Sequence, residues 1–267
     1  MMKMKKITLL ALVFIFTAAM TCSAHFVIMY TPETLLENGG NINMKNVFGH
    51  PFEASVTMHM EKPNAFFVVH REKRTDLLNT LKPISWQSLE NSERAWENSY
   101  QIRSMGDYVF CLDPVPYFDK EENKYIHQIT KMIVNNGGLP TDWDANMGLK
   151  TEIVPLDKPY ALLTGNVFRG IVLSEGQPVP YAEIEVEYLN HAPDMRLNSF
   201  ATKADTIASH DAFVAMTIKA NANGEFAFGI PRAGWWGFAS IGTGPDKMLN
   251  GQEVEQDAVI WIQARDM

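Results

Sequence analysis

Short apolar runs with alternating polar positions recur along this chain, set between clusters of Gly, Pro and Asn, and a helical period is almost absent. Phe26-Val27-Ile28-Met29-Tyr30 predicts a first strand. Ile42 to His50 alternates as a half-buried strand, closed by His50-Pro51-Phe52. Ala65 to His70, Ser99 to Arg103, Tyr108 to Leu112 and Tyr125 to Val134 predict further strands, the last ended by Asn136-Gly137-Gly138. Ser55 to Met60 reads as extended or irregular. Trp86 to Trp96 and residues 137–150 read as loops. Glu152 to Leu156, followed by Pro159, reads as a connector. Short strands at this spacing predict a β-sandwich for residues 25–158.

The second half repeats the pattern. Thr164 to Gly170 opens a strand, and Glu175-Gly176-Gln177-Pro178-Val179-Pro180 turns it. In Tyr181 to Tyr188, Ile184, Val186 and Tyr188 oppose Glu183, Glu185 and Glu187, which predicts a strand with one wet face. Asn221-Ala222-Asn223-Gly224 is a tight turn, and Ala258 to Gln263 a closing strand. Residues 159–267 predict a second, immunoglobulin-like or transthyretin-like β-sandwich. Gly234-Trp235-Trp236-Gly237 looks like a sugar-stacking platform, but adjacent strand residues face opposite ways. One Trp is therefore expected in the core and the other at the surface.

The start of the chain adds chemistry. Lys3, Lys5 and Lys6 precede an apolar stretch, Ile7 to Ala19, that is short for a membrane span. Ser23-Ala24 then supplies small residues for cleavage after Ala24, so residues 1–24 read as a signal peptide. Lipidation at Cys22 and a retained signal-anchor are the alternatives. Cleavage takes the formal charge from −8 to −11, since the segment carries three Lys and no acid. An acidic, exported chain argues against nucleic acid as a partner and suits the collection of cations. Cys111 alone would remain, so no internal disulfide is expected, and its apolar strand predicts an inert buried thiol. A periplasmic chain with no further membrane span is the expectation.

Cleavage after Ala24 would leave His25 as the first residue. A terminal histidine offers its α-amine and its imidazole Nδ1 to one ion, and the amine, with a reference pKa near 8, releases its proton to a metal at modest cost. Such nitrogens suit Ni(II), Co(II), Cu(II) and Zn(II). Of the other six histidines, His50 and His127 lie near strand ends and can reach His25 if those ends cluster. Glu53, three residues after His50, is a further ligand or an outer carboxylate, and Met60 is a thioether in reserve, although methionine more often fills core. Met58-His59-Met60 sets an imidazole between two thioethers, which favour Cu(I), although core filling is the preferred role for the methionines. His70, His191 and His210 read as structural or exposed. Asp119 to Glu122 and Asp142-Trp143-Asp144 lack the regular spacing of a calcium loop and read as solvated acidic loops. No Gly-x-Ser-x-Gly, His-Glu-x-x-His or phosphate loop occurs, and no enzyme is expected.

Several blocks carry a family resemblance. They are Ala24-His25-Phe26, His50-Pro51-Phe52-Glu53, Met60-Glu61-Lys62-Pro63, Thr75-Asp76-Leu77-Leu78 and Gly148 to Leu156 with Pro159-Tyr160. Further on come Gly165-Asn166-Val167-Phe168, Pro178-Val179-Pro180, Glu183 to Tyr188 and Pro231 to Phe238. In that order, over the whole chain after residue 24, the sequence resembles the periplasmic-component family (DUF-type) of cobalt/nickel ABC transport systems. The resemblance implies a non-enzymatic role in handling nickel or cobalt beside the membrane components of a transporter. It places His25 at the metal, with His50 and His127 next. The second domain would present the first to the transporter. Two other readings stay open: a copper protein with a histidine-brace-like terminus, and a structural or adhesive β-sandwich in which the histidines are incidental.

Overall fold

Side chains alternate across a strand, so a strand covered on both faces needs apolar residues at consecutive positions. Tyr108 to Leu112 and Ala258 to Ile262 have that composition, and the structure puts them in its middle layer. The computed structural model describes residues 25–267; the expected signal peptide lies outside the described residues. Among these the chain is all-β, with two single-turn 3-10 segments and no α-helix.

A 12-stranded central sheet runs from Ala215–Lys219 through Glu183–Tyr188, Gly234–Ser240, Gln252–Arg265, Lys124–Asn136, Gly106–Asp113 and Ala65–His70 to Lys73–Asp76. A 7-stranded front sheet contains Phe26–Tyr30, Gly40–Gly49, Ser92–Ile102 and Lys82–Gln87, extended by Ser199–Phe200 and Pro193–Asp194. A 4-stranded back sheet is built on Thr151–Pro155 and Val167–Ser174. Alternate residues of the central strands feed two cores. Phe66, Phe110, Met132, Val259 and Trp261 meet Phe26, Ile28 and Met44 of the front sheet. Val109, Cys111, Ile133, Phe238 and Ile260 meet Ile153, Phe168 and Val172 of the back sheet.

The two sandwiches therefore share their central sheet. The division at residue 158 falls between Thr151–Pro155 and Leu162–Leu163, and strands from both sides of it join through parallel pairing of Lys124–Asn136 with Gln252–Arg265. The structure departs from the sequence expectations at three places. Trp235 and Trp236 are both buried, one in each core, because the strand that carries them is covered on both faces. Residues 86–96 are not a loop: they end one strand and begin the next, antiparallel to it from Lys82 to Glu97. Trp86 packs edge to face on Phe200, at 5.2 Å between ring centres, and that contact comes from a distant hairpin. Glu187 sits on the face expected to be wet, yet it is buried, and its carboxylate accepts the Phe52 N–H at 3.3 Å.

Candidate metal centre

The register of the first two strands builds the site. Phe26 pairs with Gly49 and Tyr30 with Lys45, antiparallel. Continued by one residue, that register puts His25 opposite His50. The two rings meet edge to face, 4.9 Å between centres at 70°, and Phe48 packs against His25 at 6.0 Å.

His25 is held by its backbone as well. Gln128 on the central sheet donates from Nε2 to the His25 carbonyl at 2.6 Å and accepts the Val27 N–H at 2.7 Å through Oε1. The same Nε2 reaches Asp257, buried on the neighbouring strand, at 3.2 Å. Four residues further along that neighbouring strand, Trp261 donates its indole N–H to the Val27 carbonyl at 2.9 Å and packs edge to face on Phe26. The first residues after Ala24 are thus tied into the sheet, which makes the backbone of His25 a fixed point.

The electrostatics favour neutral imidazoles. Burial, followed by the neighbouring His25, lowers the His50 pKa to about 4. Burial also lowers that of His25, with Asp119 the main opposing influence. Both rings therefore keep lone pairs at neutral pH, as metal ligation requires. His50 Nδ1 bonds the Ser55 hydroxyl at 2.9 Å. Its Nε2 is buried and has no hydrogen-bond partner among the described residues. An orphaned buried nitrogen costs free energy unless something fills the position, and a metal ion would do so.

Two carboxylates complete the surroundings. Among the described residues, His25, Asp119 and Glu122 can each bring one ligand atom within 4.8 Å of the others. His25 Nε2 lies 3.4 Å from Asp119 Oδ2. Asp119 is not in a solvated loop as the sequence suggests; it is buried, because the strand Tyr117–Asp119 pairs with Lys124–Asn136 and folds the turn back against it. Glu122 is exposed and paired with Lys124 at 2.6 Å. Lys124 also pairs with Glu255 at 2.8 Å. Nothing local in the sequence distinguishes Asp119 from the acidic residues that follow it.

The other predicted site residues lie elsewhere or further out. His127 is on the opposite face of its strand from Gln128 and so faces away from His25. Gln256 accepts the Asp246 N–H with Oε1, which turns its amide nitrogen to His127 Nδ1 at 2.9 Å. His127 Nε2 then donates to Asp113 at 2.7 Å. Both ring nitrogens are engaged, and the structure does not bring this residue into the group. The Glu53 carboxylate stands 3.9 Å from His50 Nδ1, the side away from the orphaned nitrogen. Met60 is buried in the front core with Phe48 and Met58. His59 contacts Glu93 and Glu61 at 2.9 and 3.4 Å on the surface. His70 stacks on Tyr108 at 4.0 Å, and His191 bonds the Ala201 carbonyl.

Fold and site together define a class: a β-sandwich protein with a histidine pair and a carboxylate at the edge of its front sheet. The chain belongs to the family described as "Domain of unknown function (DUF4198)", whose profile matches residues 22–244. A comparison with curated proteins found no match. Among solved structures the chain is similar to the D0-D1 domain of intimin, at 10% identity over 90% of this chain and 99% of that one, with a TM-score of 0.21. It is similar to the adhesin InvE of Yersinia pseudotuberculosis at 12% identity, over 87% of this chain and 58% of that one, with a TM-score of 0.24. The titin Ig tandem A164-A165 is similar at 10% identity over 92% and 98% of the two chains, TM-score 0.20. At such scores these likenesses carry no argument about function.

Proposed function

We propose that this chain is an exported, non-enzymatic binder of one divalent transition-metal ion, nickel or cobalt, that assists uptake of the ion by an ABC-type transporter. The ion is held by the α-amine and Nδ1 of His25 and by Nε2 of His50. The observation that carries this reading is the edge-to-face His25–His50 pair with a buried His50 nitrogen left unpartnered among the described residues. The resemblance to nickel and cobalt transport components supports the cargo and the periplasmic setting. The transporter's membrane components would be the partners, reached through the C-terminal half. Among the described residues no helix is long and apolar enough to cross a membrane.

Copper is the second reading. Two imidazoles at 70° beside a terminal amine give an all-nitrogen set, and Cu(II) outranks nickel and cobalt on such donors. Calorimetry on protein that begins at His25 should give one ion per chain, and competition between the three metals ranks them. The same protein with one extra residue before His25 should bind far more weakly. Equal binding by the two forms refutes chelation by the amine. The absence of stoichiometric binding at micromolar metal returns the chain to a structural or adhesive role.

A further inference from the structure

The proposed chelate needs a bare Nδ1 on His25, and a neutral imidazole carries its proton on one nitrogen or the other. Which one is set by the partner that the other nitrogen meets. Asp119 is built for that choice. Its Oδ1 accepts two backbone N–H groups of its own turn, from Glu121 at 2.7 Å and Glu122 at 3.0 Å. Oδ2 is left facing His25 Nε2 at 3.4 Å. The carboxylate is buried and cannot swing away without breaking both turn bonds.

We propose that Asp119 is the positioning residue of the site: it keeps the His25 proton on Nε2 and thereby leaves Nδ1 free for the metal. This rests on the metal-binding reading above. Asp119 acts through the ring and does not ligate the ion. Outer carboxylates of this kind fix both the tautomer and the orientation of a ligating histidine, and their loss costs about 10–100-fold in affinity.

The geometry separates two substitutions. In Asp119→Asn, the amide oxygen can keep the turn bonds in place of Oδ1. Its NH2 group then faces His25 Nε2, which must accept, and the proton moves to Nδ1. A carboxylate-to-amide change that imposes the wrong tautomer is more damaging than its small size suggests. Asp119→Ala removes the preference without inverting it, at the cost of the turn.

The experiment uses protein beginning at His25, without metal, and reads the ring nitrogens of His25 by long-range proton–nitrogen NMR. The Nε2–H form should dominate in the parent, the Nδ1–H form in Asp119→Asn, and a mixture in Asp119→Ala. Nickel and copper titrations should then show a loss of about tenfold or more in both variants, larger for Asn than for Ala. An Nδ1–H parent overturns the proposal. So does an Asn variant with parental tautomer, or one with parental affinity. Loss of the metal with the tautomer unchanged makes Asp119 a direct ligand and overturns it too. If the parent binds no metal at all, the functional reading fails, while the tautomer measurement on the metal-free protein still decides what Asp119 does.

Discussion

Gln128 holds His25 by its carbonyl across 103 residues of sequence, with 2.6 Å between amide nitrogen and oxygen. The same amide side chain satisfies Val27 N–H and touches Asp257. Gln128→Leu keeps the volume and removes all three bonds. Leaving buried polar groups unsatisfied costs about 1–3 kcal/mol. The variant should lose stability of that order in urea denaturation and bind metal more weakly, since the first strand then frays. An unchanged midpoint would show that the clasp contributes nothing.

Trp261 holds the same strand from below, and Gly237 is what lets it. A Cβ on Gly237 would lie 2.7 Å from the Trp261 ring and 3.0 Å from Phe26. Gly237→Ala must push one of them away. Overpacking of this kind costs about 1–3 kcal/mol. Weaker metal binding should accompany the lower melting temperature, although residue 237 is no part of the proposed ligand set. Calorimetry and thermal melts on one preparation test both effects.

The metal-free protein should lose stability in acid because of His50. Its folded pKa of about 4 lies below the unfolded value near 6.5. Between those values the unfolded chain binds the extra proton and the folded one resists it. Stability is full above pH 6.5 and declines as pH falls to about 4, by about 3 kcal/mol from this residue. His25, lowered in the same direction, adds to the loss. Urea midpoints measured from pH 7 to pH 4 should fall, and His50→Phe should flatten the slope.

His127 and His50 should behave oppositely. His127→Ala breaks the bonds to Asp113 and Gln256 and should destabilise by about 1–3 kcal/mol. It should keep one metal per chain. His50→Ala should abolish tight binding. Loss of binding in the His127 variant at a temperature where it stays folded would restore that residue to the ligand set.

Cys111 should stay unreactive in the native protein. It is fully buried between the central and back sheets, and burial pushes its thiol up to about 12. A disulfide reagent at pH 8 should label it only after denaturant is added; rapid native labelling would mean that the back core opens readily.

Strand existence is mostly a local property, and the sequence alone determined most of it here, residues 86–96 and the Glu152 to Leu156 connector being the stretches where paired strands were missed. Alternation at Ile184, Val186 and Tyr188, the apolar run at Tyr108 to Leu112 and the turn residues between them were enough to predict an all-β chain in two sandwiches. His25 stood out for the same reason, since its place beside Ala24 is written in the sequence. Only the tertiary structure decided what surrounds it. Register sets His25 against His50, and a shift of one residue would turn either side chain to the other face. Parity along Lys124–Asn136 sends Gln128 to the site and His127 away from it. Asp119 becomes buried through a pairing with a neighbouring strand, which its acidic turn does not announce. Trp235 and Trp236 are both buried because the central sheet is covered twice, and no local pattern records how many layers a strand will lie between.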